Sequence, residues 1–341
     1  MKIAIDAMGG DYAPKEIVLG AIEAVAQYDL EVVLVGNKDK INEVLRQHHE
    51  EKNNKLSIVH ATEVIEMGEH PGQAIRKKKD ASIVVATRLV REGICDAVVA
   101  PGSTGAAVAA ALFGLGRIKG VERPSIATPM PTLKGVTVML DSGANSSSKP
   151  KHLVEGAIMG YHYAKYIFGI ANPSVGLLNI GEEASKGNEV VLATYPMLEK
   201  LKTIPFYGNV EGRDIPNGTV DVVVCDGFVG NVVLKYGEGL AVAIIALMKQ
   251  AIKESSWLVK LGALAMMPAL RKLMLRIDYN EYGGAPLLGV NGGFIICHGS
   301  SKAKAIKNAI RVANEIAGQD VVGHIRRSIE EEGVGKYDVE D

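Results

Sequence analysis

Asp96-Ala97-Val98-Val99-Ala100-Pro101-Gly102-Ser103-Thr104-Gly105 decides the fold. Its first half is apolar without alternation, the mark of a strand buried on both faces of a mostly parallel sheet. Its second half is a small polar turn leading into a helix. The same pattern recurs along the chain, predicting strands over 2–6, 31–36, 56–60, 96–100, 136–141, 174–180, 221–226 and 293–297. Helical stretches lie between them. In the one predicted over 14–27, Pro14 suits the first turn and Ile17, Ala21, Ile22 and Val25 form one apolar stripe. Strand then helix, repeated, predicts an α/β fold of three layers, α/β/α, around a mostly parallel sheet.

Composition narrows the function. Lys plus Arg (38) nearly cancel Asp plus Glu (39), and aromatics are 5% of 341 residues, which argues against a general nucleic-acid binder. Gly is in excess, 38 residues or about 11% against roughly 7% on average. Cys95, Cys225 and Cys297 lack metal-knuckle spacing and fit a reducing cytosol. Met1-Lys2-Ile3-Ala4-Ile5-Asp6 contains no signal-peptide core, and the uncharged stretch 97–116 is broken by Pro101 and Gly102, so neither export nor a transmembrane helix is expected. With no linker or repeat, one α/β/α domain is expected over 1–341. Residues 239–277 interrupt the rhythm with two successive helical patterns, bent at Gly262 and Pro268, and read as a projecting helical hairpin within it. Beyond Ser328 the acidic tail reads as a solvated end.

In open α/β sheets ligands bind beyond the carboxyl ends of the strands. The turns there share a vocabulary: Asp6-Ala7-Met8-Gly9-Gly10-Asp11, Gly102-Ser103-Thr104-Gly105, and Asp141-Ser142-Gly143-Ala144-Asn145. Asn179-Ile180-Gly181 leads to Lys186-Gly187-Asn188, and Asp226-Gly227 leads to Asn231 and Lys235. Bare backbone at a helix start presents N–H groups to an anion, and Ser, Thr, Asn and Lys add donors. Any one such loop serves equally well as a turn or helix cap. Five at one sheet edge predict a phosphate pocket. Familiar alternatives are missing: no GxGxxG opening a helix after a strand, no GxxxxGK[ST], no GxSxG at Ser103 and no HExxH. Neither a cofactor nor a metal is expected.

KIAIDAMGGDYAP, DSGAN with KPKHLVEGAIMG, GLLNIGEEASKGNE, GNVEGRDI, DVVVCDGFVGNVVLK, DYNEYGGAPLLGV and HGSSKAKAIKNAI closely resemble the bacterial phosphate acyltransferases of the PlsX type. The resemblance spans residues 2 to about 310. It implies a fold similar to phosphotransacetylases and isopropylmalate dehydrogenases, and a homodimer. It also implies transfer of a long-chain fatty acyl group from acyl carrier protein to inorganic phosphate. The product would feed a membrane glycerol-3-phosphate acyltransferase in phospholipid synthesis. Two strings depart from the family: Ser103 stands where Asn is usual, and Ser146-Ser147 follow the GAN of the third loop.

That chemistry suits the loops. Phosphate can attack a thioester without a protein nucleophile if it is held beside the carbonyl and the developing oxyanion is stabilised. Lys186, Lys235, Asn145, Asn188, Asn231 and the Gly102–Gly105 backbone are candidate donors. Asp6, Asp141 and Asp226 would orient those donors, since a carboxylate touching phosphate repels it. His298 is a candidate acid for the leaving thiolate. Catalytic candidates are therefore Lys186, Asn231, Lys235 and His298; the binding set is Asp6, Gly9, Gly10, Asp11, Gly102, Ser103, Thr104, Gly105, Asp141, Asn145, Asn179, Asn188 and Asp226.

The hairpin suggests a second role. LGALAMMPAL, 261–270, is uncharged, and from Lys249 to Arg276 Lys249, Lys253, Lys260, Arg271, Lys272 and Arg276 face only Glu254. Such a segment is too short to span a bilayer, yet an apolar tip with basic flanks can lie in an anionic interface. Trp257, Leu261, Leu264, Met266, Met267, Leu270, Arg271, Lys272 and Arg276 are the candidate membrane or carrier contacts. The same Leu and Met side chains would equally suit a dimer interface. Arg76-Lys77-Lys78-Lys79 is a second basic run that an acidic carrier protein could meet. A short-chain acyl-CoA phosphotransacetylase would explain the loops but not the hairpin, and an idle membrane scaffold the reverse. The expected location is the cytoplasm with peripheral membrane association.

Overall fold

A computed structural model describes residues 1–277 and 282–334, apart from the side chains of 273 and 275–277. Asp278 to Glu281 of the DYNEYGG string, the side chain of Arg276 and the tail from 335 onward lie outside the described residues. The strands are β1 (Lys2–Asp6), β2 (Glu31–Gly36), β3 (Leu56–His60), β4 (Ala97–Gly102), β5 (Ser125–Ile126), β6 (Thr128–Thr132), β7 (Gly135–Leu140), β8 (Val175–Leu178), β9 (Phe206–Val210), β10 (Val222–Val224), β11 (Ala285–Leu288) and β12 (Gly293–His298). The helices are α1 (Lys15–Gln27), α2 (Lys38–Gln47), α3 (Pro71–Lys77), α4 (Ser82–Arg91), α5 (Thr104–Gly114), α6 (Pro150–Ile167), α7 (Glu189–Glu199), α8 (Asp214–Asn217), α9 (Gly227–Glu254), α10 (Trp257–Ile277), α11 (Ala303–Gly318) and α12 (Val321–Glu331).

These strands form two sheets, where one was expected. The first has seven strands in the order β3-β2-β1-β4-β12-β11-β5, and the second five, in the order β6-β7-β10-β8-β9. Pairing is parallel except at β11 and β6, where the neighbours run antiparallel. Apolar runs reveal which residues become strands but not which strands they pair with. The four strands not anticipated, β5, β6, β9 and β11, have short or atypical sequences. Thr-Pro-Met-Pro-Thr and Ala-Pro-Leu-Leu carry proline, Phe-Tyr-Gly-Asn-Val carries glycine, and Ser-Ile has two residues.

Both sheets are covered on each face. Ile3 and Ile5 of β1 pack with Ile17, Ala21 and Val25 of α1 and with Ile306 and Ile310 of α11. Ala4 faces the other way, toward Ile83, Ala86 and Leu89 of α4 and Ala107 and Ala111 of α5. In the second sheet Leu140, Val222 and Leu177 meet Val154, Ala157 and Ile158 of α6. Met139 and Val223 face Val233 and Leu234 of α9. The chain end is more structured than expected: α12 continues to Glu331, and Ile329 and Val334 are buried. Glu332 accepts hydrogen bonds from Thr203 N–H and Oγ.

Between α6 and α12, His162 stacks with Tyr166 and His324, ring centroids 6.1 and 6.2 Å away. Both its ring nitrogens are buried without a partner among the described residues. Burial first, then the charges of His324, Lys165 and Arg327, push its pKa down to about 4. The folded chain therefore binds fewer protons here than the unfolded chain between roughly pH 4 and 6.5, and stability rises with pH in that window. His162→Phe is expected to remove that slope, an effect of up to about 3 kcal/mol at the acid end. Urea unfolding of both proteins at pH 4.5 and 7.5 checks it. Equal pH dependence in the two would exclude His162 as its source.

Candidate active site

Two of the predicted loops and His298 meet at the carboxyl edge of the first sheet. Asp6, buried where β1 ends, accepts hydrogen bonds from Met8 N–H and Gly9 N–H at 3.0 Å. Burial raises its pKa to about 6 against the opposing hydrogen bonds from Ser82, Met8 and Gly9. A Cβ on Gly9 would lie 2.1 Å from the Pro101 carbonyl oxygen, so only glycine lets this loop close on β4. Asp11 N–H donates to Gly299 O at 2.8 Å, and His298 lies beside Gly102 in the parallel register. Ser103 caps α5 by accepting from Ala106 N–H at 3.4 Å. Thr104 and Gly105 are exposed in the first turn, where helix N–H groups have no intrahelical acceptor. Gly10, Gly102 and these two N–H groups form an anion-ready rim.

A second cluster sits on the second sheet. Asp141, closing β7, is its hub: Oδ1 accepts from Ile126, Gly143 and Ala144 N–H, and Oδ2 from Asn145 N–H and Nδ2, all between 2.8 and 3.1 Å. The N–H groups of Gly143 and Ala144 are thereby turned inward, orienting the loop rather than offered to an anion. A Cβ on Gly230 would lie 1.9 Å from the Asp141 carbonyl oxygen, which seats the first turn of α9 against this loop. Asn231 is exposed, and a Cβ built on Gly143 would lie 3.4 Å from its Cγ. Asp226 caps α9 through Phe228 and Val229 N–H. Lys235 shares Asn231's face one turn later, but its ammonium pairs with Glu238 at 3.1 Å.

The third group is Asn179 to Asn188. Asn179 Nδ2 donates to Lys186 O at 2.9 Å, Asn188 caps α7 by accepting from Val191 N–H, and the Lys186 side chain is exposed. The five loops expected on one sheet edge are thus divided between two sheets. Strand β5 connects the first two groups: it pairs with β11 of the first sheet while Ser142 N–H donates to Ile126 O. A cavity of about 380 Å³ lined by Lys134, Phe168 and Asp221 opens at the opposite, amino-terminal end of β7 and β10 and contains none of these residues. The candidate donor groups lie instead at the strand-end loops.

Two features were missed. Glu155, fully buried in α6, accepts from Glu122 N–H at 2.9 Å and Arg123 N–H at 3.4 Å, while Lys151 and His152 bind the Glu122 carboxylate at 2.7 and 3.2 Å. Burial, partly offset by those N–H groups, raises the Glu155 pKa to about 7. This clamp holds Pro124, whose carbonyl accepts from Asn145 Nδ2 at 2.8 Å. Its only signal was Lys151, His152 and Glu155 among the first six residues of a largely apolar helix. The second is Ser300, whose Oγ lies 2.7 Å from His298 Nδ1.

The helical segment differs from expectation in its start. α9 begins at Gly227, so its first turns belong to the site and the rest, with α10, carries the 239–277 segment. Val242, Trp257, Leu261, Leu264, Met266 and Met267 are exposed; Leu270 is half-buried. Arg271 and Lys272 are exposed beside them. No span was expected, yet among the described residues α9 is long and apolar enough to cross a membrane, and none of its apolar stretch is buried. Its first turn, however, is seated under the Asp141 loop.

Known proteins share this sequence and fold. Residues 1–324 match the family described as fatty acid synthesis protein. The chain is 60% identical over 330 residues to a phosphate acyltransferase of Pelotomaculum thermopropionicum, covering 97% of this chain and 95% of that one. It is 58% identical over 329 residues to a phosphate acyltransferase of Heliobacterium modesticaldum, covering 96% and 98%. EutD phosphotransacetylase from Staphylococcus aureus shares the fold, with a TM-score of 0.63 at 16% identity over 93% of this chain and 94% of that one. The chain therefore belongs to the fatty acid synthesis protein family, as an acyltransferase of the PlsX-type phosphate acyltransferases.

Proposed function

We propose that the acyl donor is a long-chain acyl group on acyl carrier protein, and that the acyl phosphate formed is handed to a membrane glycerol-3-phosphate acyltransferase for phospholipid synthesis. One observation carries this reading. The helix whose first turns hold Asn231 at the phosphate loops continues into an exposed apolar segment, where Val242 is 68% and Leu264 65% accessible. A short-chain acyl-CoA enzyme has no use for such a surface. Phosphate sits among the Thr104 and Gly105 N–H groups, Asn231 and Lys186, with Asp6, Asp141 and Asp226 holding the loops. Purified protein given phosphate with palmitoyl-carrier protein, palmitoyl-CoA or acetyl-CoA tests it. Acyl phosphate from the carrier-bound palmitoyl group is the expected result. Product from acetyl-CoA alone would leave the short-chain reading in its place.

The exposed α9 and α10 surfaces support two further assignments, a homodimer packed through the stems and peripheral contact of the apolar stretch with an anionic membrane surface in the cytoplasm. Burying Leu261 and Leu264 in an interface is worth about 1.5–3 kcal/mol each when complete. Leu261→Glu with Leu264→Glu is expected to release the protein from phosphatidylglycerol-containing liposomes while it still turns over soluble acyl-carrier protein. A monomeric or unfolded double variant would assign these leucines to the dimer or core.

A further inference from the structure

His298 ends β12 next to Gly102, with its imidazole exposed at the phosphate loops. The ring is held from one side. Ser300 N–H donates to Nδ1 at 3.2 Å, and the Ser300 hydroxyl lies 2.7 Å from the same atom. An amide nitrogen donates and cannot accept, so Nδ1 presents its lone pair and the ring proton sits on Nε2. The hydroxyl then also donates to Nδ1. Ser301 N–H donates to the His298 carbonyl at 3.0 Å, which keeps the turn closed.

We propose that Ser300 is a positioning residue that fixes His298 as the neutral Nε2–H tautomer, and that His298 stabilises the oxyanion of the thioester as a hydrogen-bond donor instead of protonating the leaving sulfur. This rests on the acyl-transfer reading above. A doubly protonated ring would aim an Nδ1 proton at the Ser300 N–H. A neutral ring that surrendered its Nε2 proton would become an imidazolate. What remains is an N–H dipole, which acts most strongly on localised oxygen charge, sulfur being the weaker acceptor. Neutral imidazole serves as an electrophile in this way in other enzymes.

The reaction balances without a protein acid. An oxygen of hydrogen phosphate bonds to the acyl carbon, the C–S bond breaks, and its electron pair leaves on sulfur. The thiolate gains one proton, and the acyl phosphate loses the one the phosphate brought. Sequence alone could suggest His298 but not this, because the tautomer depends on where residue 300 turns its amide.

Nitrogen NMR of the full chain with labelled histidine, the His298 signal being assigned from its loss in His298→Ala, reads the tautomer directly. The Nε2–H form is expected in the substrate-free protein at neutral pH. Ser300→Ala keeps the 3.2 Å backbone donor and removes the closer hydroxyl donor, so it should mix in part of the Nδ1–H form and lower kcat about tenfold with little change in KM for phosphate, well short of the roughly 10⁴ seen when a catalytic histidine is wholly mis-set. Ser300→Thr should restore both. His298→Ala should lose a similar factor, roughly 10² to 10³, on thioesters of ordinary and of more acidic thiols. A loss confined to the ordinary thiol would show proton donation to sulfur and overturn the proposal. So would an Nδ1–H or doubly protonated ring in the wild type, or a shifted tautomer with unchanged kcat. Wild type that makes no acyl phosphate would instead defeat the acyl-transfer reading, and the role of His298 with it.

Discussion

Asn231→Ala and Lys186→Ala are each expected to lower acyl phosphate formation by roughly 10² to 10³, the usual loss for one donor to a developing negative charge. Asn231 sits one turn into α9, and the close approach of Gly230 to the Asp141 carbonyl holds that turn in place. Its amide is exposed beside Gly143, while the neighbouring Gly143 and Ala144 N–H groups are committed to Asp141. The side chain, not the loop backbone, therefore faces outward there. Lys186 is an exposed cation in the loop after β8, the neighbour of β10 in the second sheet. Lys235→Ala should cost less, because its ammonium is drawn to Glu238. Turnover measured beside circular dichroism separates lost chemistry from lost fold. Wild-type rates in both variants would remove these residues from the site.

Asp141→Ala is expected to destabilise the protein by about 3–5 kcal/mol, because several buried N–H groups would be left unmatched at about 1–3 kcal/mol each. The carboxylate is 4% exposed and gathers three backbone segments, from Ile126, from Gly143 to Asn145, and through Pro124 the turn clamped by Glu155. Asp141→Asn keeps one acceptor oxygen and should lose about half as much. Urea unfolding midpoints give the comparison. A loss below about 1 kcal/mol for the alanine variant would mean that water takes over these hydrogen bonds.

Much of this was legible in the sequence, for identifiable reasons. Glu31-Val-Val-Leu-Val-Gly36 is apolar throughout because β2 lies inside a parallel sheet, so its limits could be read to the residue. Predicted strands 174–180 and 221–226 shortened because Asn179 and Asp226 serve as turn and cap, a choice that side-chain chemistry leaves open. The division into two sheets was hidden because β5 has only two residues and β6 is interrupted by Pro129 and Pro131. The Glu155 clamp was hidden because a buried carboxylate and an exposed one have the same letter. The pairing of Lys235 with Glu238 was hidden for a simpler reason: sequence spacing allows such a pair without assigning it.

The strand order of the first sheet bears on how the chain is made. β12 lies between β4 and β11, so the sheet begun by residues 2–6 cannot close until 293–298 have been synthesised. At about 5–20 residues per second, that leaves β4 without its inner neighbour for roughly 10 to 40 s on the ribosome. The second sheet draws all its strands from between Thr128 and Val224 and can assemble meanwhile. A nascent chain stalled before β12 would therefore carry a finished half beside an open, apolar strand edge, the kind of surface that recruits chaperones or aggregates. Slow translation just upstream of β12 should thus lower soluble yield more than the same pause placed after it.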